Sequence, residues 1–141
     1  MTKHRLVTPL AAVAAAATLA ACGESAQDKA KSQVCDARSD ISKQITSLEG
    51  MTISTATVDQ ISKSLKAIGG DLRQIADAQD NLSSSRRAEV KTANQEFATQ
   101  VRSTVTDIGR SLSLSDANAQ LKTAVQQLTS SYQQTYARID C

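Results

Sequence analysis

Histidine is nearly missing from this sequence: the single one among 141 residues is His4, at the extreme amino terminus. Nucleophilic and acid–base sites most often pair Ser or Cys with His, and zinc needs about four ligands drawn largely from His and Cys. Proline is equally scarce, since Pro9 is the only one, so nothing beyond the first residues breaks a helix by that route. The five glycines form no phosphate-cradling loop and no nucleophile elbow. Aromatic residues make up 2% of the chain, with no Trp, and Phe97, Tyr132 and Tyr136 are the whole set. A surplus of one charge is also absent. Lys and Arg number 16 against 14 acidic residues, and without Lys3 and Arg5 of the amino-terminal segment the remainder is balanced. A nucleic-acid binder needs a basic excess to displace counterions along the phosphates, so no nucleic-acid partner is expected. The length suits one domain.

What is present begins with the amino terminus. Met1-Thr2-Lys3-His4-Arg5 precedes a mainly apolar run from Leu6 to Ala21, interrupted by Thr8, Pro9 and Thr18. A basic head followed by a short apolar stretch is the pattern of an export signal. The run is Ala-rich and shorter than the roughly 20 strongly apolar residues of a membrane span. It ends in Leu19-Ala20-Ala21-Cys22-Gly23, where a branched apolar residue, two small ones and Cys follow directly.

These residues resemble the lipobox of bacterial lipoproteins. The resemblance implies that the Cys22 thiol receives a diacylglyceryl group, that a peptidase recognising Leu19, Ala20 and Ala21 cuts before it, and that a palmitate-bearing lipid anchor results. It spans residues 1–22 and implies a location without implying an activity. Each buried methylene contributes about 0.8 kcal/mol, so two acyl chains hold where one is marginal. The mature protein is expected to be membrane-anchored and extracytoplasmic, on the outer face of the cell membrane or on the periplasmic side. Gly23 follows the Cys where an Asp would signal inner-membrane retention.

With Cys22 set aside, Cys35 and Cys141 remain as an even pair in an exported chain, and a disulfide between them is the favoured reading. A metal pair or a reactive thiol is the alternative. The bridge would close a loop of roughly 106 residues near the two ends of the domain.

Residues 1–21 are thus a signal, 22–28 the acylated Cys and a short polar tether, and 29–141 a helical domain. Apolar residues recur at alternating steps of three and four along that domain, which predicts amphipathic helices. The first carries Val34, Ile41, Ile45 and Leu48, with Arg38 interrupting the stripe, and ends at Gly50. The second carries Val58, Ile61, Leu65, Ile68, Leu72, Ile75, Gln79 and Leu82, and opens with the capping box Thr57-Val58-Asp59-Gln60. The third carries Val90, Phe97, Val101, Val105, Ile108 and Leu112. The fourth carries Leu121, Val125, Leu128, Tyr132 and Ile139, with Ser113 or Ser115 as its N-cap. Gly69-Gly70 is the weak point of the second helix, read as a position for a kink within one continuous helix.

Short connections make sequential helices antiparallel neighbours, so the expected fold is all-α, an up-down-up-down four-helix bundle. An even helix count returns both chain ends to one end of the bundle, which agrees independently with a Cys35–Cys141 bridge. Lys29, Lys31, Arg86, Arg87 and Arg138 at that end are mixed with Asp28, Asp36, Asp80 and Asp140 and read as solvated charges. The opposite end holds Met51, Ile53, Leu112 and Leu114 in or beside its loops, a candidate partner tip or a plug of the core. Asp36 with Asp40, and Asp77 with Asp80, read as surface charges.

The leading expectation is a non-catalytic envelope lipoprotein, a disulfide-closed helical module that meets an unidentified envelope protein. No cofactor is implied. One alternative is a carrier or sensor holding an apolar ligand near Phe97, Tyr132 and Tyr136; another is a coiled-coil oligomer with a structural role.

Overall fold

A computed structural model describes residues 23–51, 57–111 and 117–141. Four helices follow in order: α1 over Ala26–Glu49, α2 over Thr57–Ala78, α3 over Ser84–Ser111 and α4 over Ala117–Thr135. A single 3₁₀ turn, Gln79–Asn81, joins α2 to α3. There is no strand among the described residues. Each helix touches its neighbours in sequence and α1 closes the ring against α4, while the diagonal pairs stay apart. This is the expected all-α bundle. The most extensive pairings are α1 with α2 and α3 with α4.

α1 starts three residues earlier than the tether assignment allows. Ser25 is its N-cap: the Ser25 Oγ accepts from the Asp28 backbone N–H at 3.1 Å and donates to the Asp28 carboxylate at 2.6 Å. That reciprocal arrangement occupies one of the free N–H groups of the first turn and places an acid at the positive end of the helix dipole. Only Gly23, Glu24 and Ser25 remain as extended chain before the helix, a reach of about 10 Å. Cys35 therefore falls in the third turn of α1.

The core follows the apolar stripes with three exchanges. On α3 the buried series is Val90, Ala93, Phe97, Val101, Thr104 and Ile108, while Val105 is 50% exposed. At 3.6 residues per turn Val105 points about 80° from the centre of that stripe and Thr104 within about 25°. Angular position outweighs side-chain hydropathy, and the core accepts a Thr whose hydroxyl finds no partner. On α1 the buried residue is Ala37, and Arg38 lies at the edge of the stripe. On the second stripe Ala78 is buried and Gln79 opens the 3₁₀ turn. The fourth stripe continues past its helix, since Tyr136 and Ile139 are buried beyond Thr135.

α2 runs unbroken through Gly69-Gly70. Neither glycine has a positive φ, and a Cβ added to either would meet nothing within 4 Å. The apolar stripes all turn into this one shared core, and Val105 is the only large exposed apolar residue among those described. An oligomer would have to form through some other face.

Candidate functional site

Four places in the bundle concern function. The first is the place where α1 is joined to the carboxyl-terminal segment. Cys35 and Cys141 are joined by a disulfide with a Cα–Cα distance of 5.6 Å, linking residues 106 apart. Cys141 lies six residues beyond the end of α4, and its approach is held by side chains from other helices. Arg38 of α1 donates to the Ile139 carbonyl at 2.8 Å, and Arg86 of α3 donates to the Asp140 carbonyl. Arg87 donates to the carbonyls of Asp80 at 2.6 Å and Leu82 at 3.3 Å, closing the α2–α3 corner. Thus Arg86 and Arg87, read from sequence as solvated charges, cap backbone carbonyls that the helix ends leave without internal partners. Their fork of donors suits that task and no composition count shows it.

The second is the aromatic group. Phe97 meets Tyr132 and Tyr136 edge-on, with ring centroids 5.8 and 5.5 Å apart, and the two tyrosines stack at 6.1 Å. All three are buried. The Tyr132 hydroxyl donates to the Arg38 carbonyl at 3.3 Å, and the Tyr136 hydroxyl donates to Asn94 Oδ1 at 2.5 Å. Asn94 Nδ2 in turn donates to the Leu72 carbonyl at 3.2 Å, so one amide ties α3 to α2 and to the segment after α4. Burial, and then the neighbouring Tyr132, pushes the Tyr136 phenol well above its ordinary value. The rings expected to line a ligand cavity are brought together, and they pack on one another.

The third is the distal end. Met51 is half-buried and packs against the core. Its companions Ile53, Leu112 and Leu114, the caps proposed at Ser113 and Ser115, the Thr57 side chain, and the whole signal with Leu19, Ala20, Ala21 and Cys22 lie outside the described residues.

The fourth is a groove that sequence reasoning missed. Between α2 and α3, near mid-length, an open groove of about 600 Å³ has a floor of Gly69, Leu72, Ala98 and Val101. Its rim carries Lys66, Arg73 and Arg102, and no carboxylate lines it. All three cations are exposed and none is in an ion pair among the described residues. The sequence signal was available as Lys66 and Arg73 seven residues apart on α2, with Gly69-Gly70 between them. Elsewhere the charges are mixed: exposed Lys43 pairs with exposed Asp40 at 2.8 Å, a surface contact of little energetic consequence. Asp71 is half-buried and its carboxyl is raised, chiefly by desolvation and then by Asp40. Among the described residues no group of three or more His, Cys, Asp or Glu is placed to hold a metal, and no helix is long and apolar enough to cross a membrane.

No family model, curated protein or solved structure matches this chain.

Proposed function

We propose that this chain is a lipid-anchored, extracytoplasmic helical module of a bacterial envelope, a non-catalytic accessory or interaction protein. The observation that carries the reading is Leu19-Ala20-Ala21-Cys22 behind a basic head and an Ala-rich run. The Cys35–Cys141 bond supports it, because structural disulfides persist in oxidising compartments and are rare in reducing ones. The capped, bonded end of the bundle is the end nearest the acylated residue, which leaves the sides and the Met51 end for a protein partner. The candidates for such a contact at that end are Met51, Ile53, Leu112 and Leu114, of which Met51 packs against the core. A balanced charge argues against nucleic acid as that partner.

The test is acylation. The full chain is expressed in cells fed an alkyne-bearing fatty acid, beside Cys22→Ala. Label and membrane fractionation are expected for the parent, with both lost and an uncut precursor accumulating in the variant. Label that survives Cys22→Ala, or a parent chain that is unlabelled, overturns the anchor.

A further inference from the structure

We infer that the α2–α3 groove is a docking site for an acidic amphipathic helix of a partner protein. The inference rests on the interaction-module reading above and names the face that such a module uses. Three observations converge on it. Gly69 forms part of the floor, is half-buried in the middle of a helix, and is required by neither a positive φ nor a close contact, since a Cβ there meets nothing within 4 Å. Nothing in the bundle itself explains a residue that weakens the helix at that point. Its effect is to leave space above the backbone. Around that space the floor is apolar and the rim is cationic only, so the complementary occupant is apolar on one face and anionic at its edges.

The positions of the cations decide between occupants. Lys66 and Arg73 are two helical turns apart on α2, about 10 Å along the axis. Arg102 stands on α3 near the Lys66 end, because α3 runs antiparallel to α2 and Asn94 bonds Leu72. A lipid or fatty acid concentrates its negative charge at one end and would engage one of these clusters. Engaging both needs two anionic groups about 10 Å apart joined by an apolar surface. Acidic residues seven apart on a helix supply that spacing, and a third helix laid over two is the ordinary helix-in-groove mode of recognition.

The experiment places a small diazirine amino acid at Ala76 in the groove, at Met51 at the distal end and at Gln133 on the exposed side of α4. The full-length chain is irradiated in intact cells and the adducts are sequenced. The inference expects Ala76 to capture a protein segment of helical pattern carrying acids seven apart. Capture falls about tenfold in Lys66→Glu/Arg73→Glu, returns when the two partner acids are changed to Lys, and is retained in Lys66→Arg/Arg73→Lys. Gly69→Ala, which adds a methyl group to the floor of a fold with room for it, lowers capture at Ala76 with no loss of helicity. That outcome separates docking from folding. A lipid adduct alone, a captured segment without the acidic pair, or capture indifferent to charge reversal overturns the inference. No adduct at Ala76 with a protein adduct at Met51 overturns it while the interaction-module reading stands. No protein adduct from any position removes both.

Discussion

Replacing Gly69 and Gly70 together by Ala is expected to stabilise the bundle. Each glycine lies within α2, and interior Gly is about 0.8 to 1 kcal/mol less favourable than Ala because it loses more backbone freedom on folding. Opposing terms are absent from the structure: no φ is positive at either glycine, and the added Cβ meets no atom within 4 Å. The pair should therefore contribute close to the sum, about 2 kcal/mol, part of it through a more restricted unfolded chain. At roughly 2.1 cal/mol/K of unfolding entropy per residue, a domain of this size gains about 8 °C in Tm. Residues 23–141 with the disulfide intact would be unfolded in urea, where the midpoint should rise by about 1.5 M with an unchanged slope. A midpoint that falls or stays level at the same slope refutes the reasoning, because it would show that α2 needs a bend or a contact that only glycine permits. A changed slope would instead indicate altered compactness in one of the two states.

Reduction of the disulfide, or Cys35→Ser/Cys141→Ser, frees a loop of 106 residues and should cost about 3 to 5 kcal/mol, read as a lower urea midpoint; equal midpoints with and without reductant contradict it. Tyr136→Phe removes the bond to Asn94 and should cost about 1 to 2 kcal/mol by the same assay. It should also change the alkaline limb. The buried phenol keeps its proton where the unfolded chain releases it, so the parent loses stability as pH rises above about 10, and the variant should lose less over that range. A parallel decline in both proteins would refute that assignment. Thr104→Val keeps the shape of a buried side chain and deletes a hydroxyl without a partner, so it should raise stability by about 1 kcal/mol; a loss of that size would mean that the hydroxyl is bonded in solution.

The helices were legible because their information is local and repeated. Ile61, Leu65, Ile68, Leu72 and Ile75 announce the buried face of α2 several times over, and one weak residue does not shift it. The bond between Cys35 and Cys141 was legible by parity, once Cys22 was assigned elsewhere. Single positions at the edge of a stripe were less so. Val105 and Thr104 differ by one step of 100°, and hydropathy chose the wrong one of the two. Ser25 was passed over because Ser-Ala-Gln-Asp has no apolar repeat, although Ser with an acid three residues on is a cap signal in its own right. The arginine caps and the groove depend on which helices become neighbours, and no one-dimensional period encodes that. Arg86 and Asp140 are 54 residues apart, and Lys66 and Arg102 share a rim only because α2 and α3 are antiparallel.

The unequal seams of the bundle explain how such a groove can exist without unfolding it. The α1–α4 seam is closed covalently by Cys35–Cys141 and again by Arg38 to Ile139 and Tyr132 to Arg38. With that seam and the α1–α2 and α3–α4 pairings in place, the positions of α2 and α3 are already fixed through their partners. Their own seam then needs little more than the Asn94–Leu72 bond and the apolar contacts beneath it. A side chain is not needed at Gly69 to hold them together, and residue 69 is free to be chosen for what it leaves open. The cost of interior glycine is small beside the several kcal/mol that a loop of this length gains from cross-linking. On the proposed anchoring, the start of α1 lies within about 10 Å of acylated Cys22, the Cys35 bridge about 14 Å further along that helix, and the groove beyond it toward mid-bundle. A partner helix reaching that height does not have to enter the lipid, and on the same proposal the disulfide that supports the groove forms once export has delivered the chain to an oxidising compartment.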